Sequence, residues 1–415
     1  RRGRSGYMAT PTRTGRVMTA MATDDGLLVA LSGGVDSAVA LLRLVAAGRR
    51  VEAAIVELWP EDEPGSCRGP AAVARARSVA EACGVRLHVL DARARFARTV
   101  VEPFVAAYLG GTTPNPCVTC NPMRLAALVG LADELGLAHV ATGHYARLVR
   151  RAHGPRLARG ADRAKDQSYM LAMVPPKVLA RLEFPLGEAS KRDVRTAARE
   201  AGLPVSGEPE SQEVCFAPRG YRHFLEGRGV RPRRGPIVDR GGRVLGEHGG
   251  HWRFTIGQRR GLGLSAGAPL YVVERRAATN EVVVGKAADL HTRTVVVRDV
   301  VGLGIAADEV APAAAAGDVA SGTASAPRLP PGDLTVQLRY RSAAVPVMAL
   351  EPLAPDAVGA PAGGVLVRLA APFAAPAPGQ AAVFYRGDEV VAAAVIAAEA
   401  VSQGPVKPRE YDTVS

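Results

Sequence analysis

Short apolar runs alternate with helix-period patterns in the first third of the chain. The runs predict strands at 27–31, 51–58, 85–90 and 139–142, and the patterns predict helices at 38–47, 71–82, 96–109 and 123–135. Strands that alternate with helices are typical of a parallel sheet covered on both faces. In such sheets, ligands bind beyond the carboxyl ends of the strands.

The pattern changes after about residue 207. Residues 190–193 form a capping box that opens one further helix, and Gly202 ends it. Residues 207–287 are rich in Gly and Arg and contain short strand-like pieces. From residue 288 onward, turn signals separate β-type runs, which predicts a small β-barrel or sandwich. These runs lie at 294–297, 334–340, 364–369 and 381–385.

These patterns divide the chain into segments. They are a leader 1–23, an α/β domain 24–206, a central α+β domain 207–287, a β-barrel 288–402 and a tail 403–415. The Ala/Pro/Gly/Ser-rich stretch 306–332 is predicted to be a disordered insertion within the barrel. The leader carries five arginines, no acid and no apolar run of a secretory signal. It could be a transit peptide, but we interpret it as a dispensable, disordered tail.

Composition is that of an ordinary globular chain of 415 residues, and no apolar run is long enough to cross a membrane. The net charge of +12 is unevenly placed, because residues 217–260 hold eleven arginines and only three acids. Phe224, Trp252 and Phe254 lie among these arginines. Arginines that grip phosphates and aromatic rings that stack on bases predict an RNA-binding surface.

A glycine-rich octet joins the first predicted strand to the first predicted helix. It comprises Ala30, Leu31, Ser32, Gly33, Gly34, Val35, Asp36 and Ser37. Two glycines permit close approach of the backbone to an anion, and the start of the helix adds partial positive charge. The octet lacks the signatures of P-loop kinases and dinucleotide-binding folds. It predicts a different phosphate-binding loop, with Asp36 near a magnesium ion.

Five cysteines, an odd number, are typical of a reducing cytoplasm rather than of a disulfide scaffold. Cys117 and Cys120 form a Cys-x-x-Cys pair in a proline-rich segment. The pair could be half of a zinc site, a redox pair, or one working thiol beside an incidental one. Cys215 follows almost a hundred residues later, and Cys67 and Cys83 are typical of buried structural cysteines.

Eight motifs occur in the order of one protein family between about residues 25 and 400. They are the octet 30–37, TPNPCVTCN at 113–121, TGHYAR at 142–147, KDQSY at 165–169, SQEVCF at 211–216, IGQRRGLG at 256–263, RYR at 339–341 and PGQAAVFY at 378–385. The octet resembles the pyrophosphate loop (PP-loop) of the ATP pyrophosphatases, whereas KDQSY and IGQRRGLG are specific to one family among them. On these motifs the chain resembles the tRNA-specific 2-thiouridylases.

The resemblance implies an α/β fold. It has a parallel-sheet, adenine nucleotide alpha-hydrolase-like (PP-loop) domain, a small α+β central domain and a C-terminal β-barrel. It also implies a reaction in which ATP with Mg²⁺ adenylates O2 of the wobble uridine in tRNA of the Lys, Glu and Gln types. Sulfur then displaces AMP to leave 2-thiouridine. Cys215 aligns with the cysteine that carries a persulfide, and Cys120 aligns with the catalytic cysteine that attacks it or helps to release its sulfur. A Cys120–Cys215 disulfide would be the spent state, which needs a reductant.

The resemblance further implies binding roles for individual residues. ATP would contact the octet together with Val56 and Gly143, and the target base would contact Asn115, Pro116 and Cys117. The tRNA would contact His144, Lys165, Asp166, Gln167, Arg339, Tyr340 and Gln380. The implied partners are tRNA and a cysteine desulfurase or sulfur-relay protein in the cytoplasm, with no membrane, no metal site and no prosthetic group.

Three positions depart from the family pattern. Many members have Asp, placed to act as a base near the target uracil, where this chain has Cys117. We assign no base role to this thiol. Val56 replaces a frequent Met over the adenine, and Met170 replaces a frequent aromatic residue.

Two alternative functions are weaker. An amidotransferase-type ATP pyrophosphatase would give Cys215 no role, and a non-catalytic tRNA-binding relative would need a degraded phosphate loop.

Overall fold

The computed structural model describes residues 26–59, 69–152, 154–208, 214–265, 267–302, 333–353, 361 and 363–398. The leader 1–23, the insertion 306–332, the tail 403–415 and Cys67 lie outside these ranges. Within them, no helix combines the length and apolar character needed to cross a bilayer.

The segment 26–208 alternates strands and helices, as its pattern predicts. Its elements are β1 (Leu27–Leu31), α1 (Val35–Ala46), β2 (Val51–Glu57), α2 (Pro70–Ala82), β3 (Leu87–Asp91), α3 (Arg93–Phe96), a π-helical turn (Ala97–Val101), α4 (Glu102–Leu109), α5 (Pro116–Glu134), β4 (His139–Thr142), β5 (Ala146–Arg151), β6 (Gly154–Arg159), α6 (Ser168–Leu171), α7 (Pro176–Leu179), β7 (Leu182–Glu183) and α8 (Lys191–Glu200).

A five-stranded parallel sheet in the order β3-β2-β1-β4-β7 forms the core of this segment. Alternate side chains of a strand point to opposite faces. Leu27 and Val29 accordingly pack in a core with α1, α2 and α8, whereas Leu28 packs in a second core with α4 and α5. The central strand is therefore covered on both faces, as the sequence predicts.

Two predicted helices differ from the observed ones. The helix expected at 123–135 begins seven residues earlier, at Pro116, because the Asn115 side chain accepts a hydrogen bond from Cys117 N and proline is favoured at the first helical position. The helix expected at 96–109 is interrupted by the π-helical turn, and Pro103 lies in the first turn of α4, where its missing N–H is tolerated.

The central segment contains α9 (Tyr221–Gly227), β8 (Gly235–Asp239), β9 (Val244–His248), a 3₁₀ turn (His251–Arg253), β10 (Tyr271–Arg276), β11 (Glu281–Gly285) and a second 3₁₀ turn (Ala287–Leu290). Its four strands form a mixed sheet in the order β10-β11-β8-β9, in which β11 and β8 are parallel. Ile237, Val272 and Val282 pack in its own small core.

The C-terminal segment forms a closed barrel rather than a sandwich. Its strands are β12 (His291–Gly302), β13 (Leu334–Gln337), β14 (Val345–Pro352), β15 (Val365–Ala374), β16 (Ala381–Arg386) and β17 (Glu389–Ile396). They pair in the order β12-β15-β14-β13-β16-β17, and β12 pairs with β17 to close the ring. Closure leaves no free edge among these six strands.

The hairpin β5–β6 attaches the barrel to the first segment, a feature that the sequence analysis missed. β6 pairs with β17, so the barrel sheet continues into residues 146–159. Arg147 and Arg163 both bond the carboxylate of Asp388 in the turn before β17, and they lower its pKa. The hairpin and these ion pairs fix the barrel against the domain that holds the phosphate loop.

Candidate functional site

The octet forms a tight loop between β1 and α1, where the sequence places it. Gly33 has a φ of +73°, and a Cβ there would lie 2.8 Å from the carbonyl oxygen of Ala72. Ser37 Oγ accepts the N–H of Ser32 at 3.0 Å and donates to Gly34 O at 3.0 Å. These bonds close the loop across the amino end of a twelve-residue helix, an arrangement that favours a bound anion.

The loop lines a cavity of about 150 Å³. Seven residues assigned to ATP line it: Ala30, Leu31, Ser32, Asp36, Ser37, Val56 and Gly143. Gly33, Gly34 and Val35 lie in the loop without lining the cavity. The lining also includes two predicted tRNA contacts, His144 and Gln167, and three residues that the sequence analysis missed, Arg124, Leu128 and Thr142. One cavity thus brings predicted ATP and tRNA residues together.

Gly143 permits the end of β4 to approach the amino end of α1. A Cβ at this position would lie 2.6 Å from Ser37 N and 2.7 Å from the carbonyl carbon of Asp36. Both atoms belong to the backbone of the loop, so a side chain could not be accommodated by rotating a neighbour. The shape of the cavity therefore depends on glycine at residue 143.

Asp36 is held by two side chains that the sequence analysis did not assign to the site. Its Oδ1 accepts hydrogen bonds from Lys191 Nζ at 2.6 Å and from Tyr145 Oη at 2.8 Å. The Lys191 side chain is only 12% exposed. Because α8 packs on α1, a lysine 155 residues away in sequence compensates the carboxylate beside the phosphate loop.

Replacing Lys191 with methionine should raise the KM for ATP about tenfold. The change leaves the Asp36 carboxylate uncompensated beside the cavity, which costs about 1–2 kcal/mol for an anionic ligand. Steady-state kinetics with varied ATP measures the effect. Lys177→Met is the matched control, since Lys177 is exposed. An unchanged KM in Lys191→Met would contradict a role for this pair in ATP binding.

One face of α5 connects Cys120 with the cavity. Residues four apart lie on the same side of a helix. Cys120, Arg124 and Leu128 follow this spacing, and the last two line the cavity. Cys117, three residues before Cys120, is exposed at the amino end of the same face. The helix thus directs the Cys120 thiol toward the side of the molecule where the phosphate loop lies.

Polar contacts fix this helix to the end of β4. The Arg124 guanidinium donates to Asn121 Oδ1 at 2.8 Å and lies 3.4 Å from His144 Nε2. His144 Nδ1 lies 2.7 Å from Thr142 Oγ1. His144 is therefore part of the network that shapes the cavity wall, and its expected contact with tRNA stays a prediction.

Cys215 is half-buried and is anchored by the aromatic residue that follows it. The ring of Phe216 packs 6.0 Å from Trp59, 5.2 Å from Phe104 and 5.0 Å from Phe224, measured between ring centroids. Trp59 lies just beyond the carboxyl end of β2. This cluster holds the backbone of Cys215 near the sheet edge at which the phosphate loop opens. Residues 211–213 of its motif lie outside the described ranges.

The loop that precedes α5 is clamped from two other segments. Gln380 Nε2 donates to Thr113 O at 2.6 Å, and Thr113 N donates to Pro378 O at 2.7 Å, both from the barrel. From the central segment, Arg275 Nη2 donates to Gly111 O at 2.8 Å and to Thr113 Oγ1 at 2.9 Å. Gln380, which the resemblance places in contact with tRNA, thus holds the loop that leads into the predicted target-base residues Asn115, Pro116 and Cys117.

Asp166 is buried, and its carboxylate is engaged inside the protein. It accepts hydrogen bonds from Gly160 N and Ser168 N at 3.0 Å and from Ser168 Oγ at 2.9 Å, and it pairs with Arg159 at 3.2 Å. The carboxylate thus positions the neighbouring Lys165 and Gln167, and the expected tRNA contact of Asp166 stays a prediction.

Asp166→Ala should lower the free energy of unfolding by about 2–4 kcal/mol, because it removes the carboxylate partner of the half-buried Arg159 and of two N–H donors, those of Gly160 and Ser168. Urea unfolding followed by fluorescence measures the change. Asp91→Ala is the control, since Asp91 is exposed and pairs with an exposed arginine. Equal unfolding midpoints for the two variants would show that the Asp166 network is not structural.

Two residues of the barrel that are predicted to contact tRNA, Arg339 and Tyr340, are at least partly accessible to solvent. Arg339 is exposed, and its Nη2 donates to Ala375 O at 2.7 Å. Tyr340 is half-buried, with its ring 5.9 Å from Tyr169. These two residues can still face a ligand, but each also has a structural contact.

The basic stretch 217–260 has an exposed arginine surface, but two of the three rings expected to stack on RNA are buried. Ten of its eleven arginines are exposed. Trp252 and Phe254, in contrast, are 3% and 7% exposed and belong to hydrophobic cores, and Phe224 lies in the Phe216 cluster. The expectation that these rings stack on RNA is wrong for Trp252 and Phe254, because their burial stabilises the domain.

The described cysteines Cys83, Cys117, Cys120 and Cys215 form no disulfide with one another. Among the described residues, no group of three or more His, Cys, Asp or Glu side chains gathers as a metal site would require. Within these ranges, no side chains are placed to complete a zinc site with Cys117 and Cys120. The predicted Cys120–Cys215 disulfide remains a prediction about a different redox state.

Family models match three consecutive parts of the chain. They are described as the tRNA methyl transferase HUP domain over residues 25–219, the tRNA methyl transferase PRC-barrel domain over 222–286 and the aminomethyltransferase β-barrel domain over 321–396. These ranges correspond to the parallel-sheet segment, the central segment and the closed barrel. The parallel-sheet, central and barrel architecture expected from the sequence is confirmed, while the boundaries at 206 and 287 remain predictions.

Curated relatives match most of the chain. A tRNA-specific 2-thiouridylase MnmA of Sorangium cellulosum is 43% identical over 384 residues, which cover 91% of this chain and 93% of the relative. A protein of the same description from Syntrophotalea carbinolica is 41% identical over 376 residues, covering 89% and 98%. A bifunctional protein NifU/MnmA of Rubrobacter xylanophilus is 45% identical over 377 residues, covering 90% and 70%.

Proposed function

The chain belongs to the family of tRNA-specific 2-thiouridylases, and from this premise we propose that it replaces O2 of the wobble uridine of tRNA with sulfur. One observation carries the proposal. A single face of α5 joins Cys120 to Arg124 and Leu128, which line the same cavity as the phosphate loop. A thiol about one helical turn from a residue of the cavity wall suits an adenylation followed by sulfur transfer.

The first step consumes ATP. Uracil O2 attacks the α-phosphorus of ATP, pyrophosphate leaves, and the base carries AMP on O2. The amino end of α1 and the hydroxyls of Ser32 and Ser37 would hold the phosphates, and Val56 would pack on the adenine. The magnesium ion enters as part of the MgATP substrate. Lys191 and Tyr145 hold the Asp36 carboxylate at the cavity, where it would be available to that ion.

The second step transfers sulfur. The terminal sulfur of a persulfide on Cys215 attacks C2 of the activated base, and AMP leaves with the original oxygen. The Cys120 thiolate then attacks Cys215 Sγ, which breaks the bond to the transferred sulfur and releases 2-thiouridine. Cys120 and Cys215 end as a disulfide, and an external thiol reductant returns both to thiols. Alternatively, Cys120 attacks the persulfide first and frees its sulfur as the nucleophile.

The target base would leave its stack and lie against the loop and first turn of α5. Asn115, Pro116 and Cys117 are there, and the clamp from Gln380 and Arg275 fixes them before RNA arrives. Cys117 is exposed at this position. The substrates would be tRNAs of the Lys, Glu and Gln types, and a cysteine desulfurase or relay protein in the cytoplasm would supply the persulfide.

Reconstitution tests this function. The protein is incubated with MgATP, unmodified tRNA of the Glu type, a cysteine desulfurase, cysteine and a thiol reductant. We expect 2-thiouridine at the wobble position and one AMP for each sulfur transferred, measured by nucleoside mass spectrometry and chromatography. A reaction that binds tRNA but yields neither AMP nor 2-thiouridine would contradict the proposal and favour a non-catalytic relative.

A further inference from the structure

An arginine-lined cleft separates α4 from the central segment, apart from the cavity of the phosphate loop. Its volume is about 510 Å³. The wall formed by the central segment includes Arg228, Arg231 and Arg233, all of them exposed, and the buried His251. Since none of the residues described in its lining is acidic, the cleft has the composition of an anion-binding site.

The neighbouring acids are already paired elsewhere. Glu226, Asp239, Glu247 and Asp289 pair with Arg253, Arg243, Arg234 and Arg240, respectively. These four ion pairs leave Arg231 and Arg233 with their charge directed to the cleft and to solvent. Burying any part of that charge needs an anionic partner.

His251 supplies an unsatisfied polar group in the cleft wall. It is 6% exposed, and its Nδ1 has no hydrogen-bond partner in the described structure. Burial and the nearby charges of Arg275 and Arg233 lower its pKa to about 4. A bound anion would offset that positive potential.

Asn280 holds the two parts of the wall together. Its Nδ2 donates to Arg233 O at 3.1 Å and to Arg234 O at 2.9 Å, while its Oδ1 accepts the N–H of His251 at 3.2 Å. Asn280 is 4% exposed and has a φ of +55°, a conformation that asparagine tolerates better than most residues. The arginine segment is thus fixed relative to His251 before any ligand binds.

We infer that this cleft binds phosphodiester groups of the tRNA backbone, an inference that rests on the proposed function. Three arginines and one buried histidine line it, and a single guanidinium group can donate to two phosphate oxygens at once. Arg228 also lies 5.3 Å from the ring of Trp59, which packs on Phe216 beside Cys215. A phosphate bound in the cleft therefore adjoins the segment that carries the sulfur.

The double variant Arg231→Ala/Arg233→Ala tests the inference against Arg276→Ala/Arg298→Ala. The control arginines are exposed, lie outside 217–260 and pair with carboxylates, so both variants lose two positive charges. We measure tRNA dissociation constants at several salt concentrations. The cleft variant should bind about 10–100-fold more weakly, and its slope of log K against log salt should shrink by about 1–2. The control should change affinity less than about threefold.

Equal affinities and equal salt slopes for the two double variants would overturn the cleft proposal. Hydroxyl-radical footprinting of tRNA bound to the wild type and to the cleft variant provides a second measurement that does not depend on the dissociation constants. If the same tRNA nucleotides are protected in the cleft variant as in the wild type, the cleft proposal is overturned as well. Failure of the proposed function is a separate result, namely wild-type protein that binds tRNA and makes no 2-thiouridine.

Discussion

Cys215→Ser will reduce formation of 2-thiouridine by at least about 10³-fold, since a serine hydroxyl cannot carry a persulfide. The side chain is half-buried and close in size to serine, and Phe216 anchors the backbone independently. The variant should therefore fold and bind tRNA with wild-type affinity. Cys120→Ser should have a comparable effect, because the sulfur cannot be released from Cys215 without the second thiol. Single-turnover thiolation, followed by nucleoside mass spectrometry, measures both.

Cys83→Ser is the matched control for these two variants. Cys83 ends α2 and packs against the core on the far face of the sheet, and burial raises its thiol pKa, so it remains protonated and unreactive. Its replacement should leave thiolation near the wild-type rate. Wild-type activity in Cys215→Ser, or an equal loss in Cys83→Ser, would contradict the assignment of the two working thiols.

Gly143→Ala should lower kcat/KM for ATP by about 10²-fold. The new Cβ would lie 2.6 Å from Ser37 N, so the amino end of α1 or the end of β4 has to move. Either movement displaces the N–H groups that hold the phosphates, and misplacement by about 1 Å is enough for a loss of this size. Kinetics at saturating tRNA with varied ATP measures it.

Gly130→Ala is the control for this substitution. Gly130 lies in α5, and a Cβ there meets nothing within 4 Å. Alanine should stabilise the helix by up to about 1 kcal/mol and leave ATP kinetics unchanged. If Gly143→Ala kept the wild-type kcat/KM while remaining folded, the contact between β4 and the phosphate loop would not shape the ATP site.

The phosphate loop could be predicted from the sequence because its determinants are local. Strand, glycines, serines and helix follow one another within residues 27–46, and the structure keeps that order. The start of α5 could also have been predicted. Asn followed by Pro, here Asn115 and Pro116, is a common start of a helix. With the helix begun there, the four-residue spacing from Cys120 would have pointed to Arg124 as a cavity residue.

The contacts that the sequence did not reveal are distant in sequence. Lys191 meets Asp36 only because α8 packs on α1, and the sequence offered the scarcity of lysine as its single signal. The hairpin β5–β6 joins a sheet whose other strands begin more than 130 residues later. Trp252 and Phe254 stand among arginines in sequence, yet their side chains point into cores. Composition alone could not distinguish a stacking ring from a buried one.

The transfer of sulfur from Cys215 to the RNA can be followed directly with labelled sulfur. Cys215 is loaded with a radiolabelled persulfide, free sulfide is removed, and unmodified tRNA is added with or without MgATP. We expect the label to leave the protein only when ATP is present, to appear in 2-thiouridine, and to be matched by one AMP for each sulfur. Label that stays on the protein while 2-thiouridine forms, or label that transfers equally without ATP, would contradict this expectation.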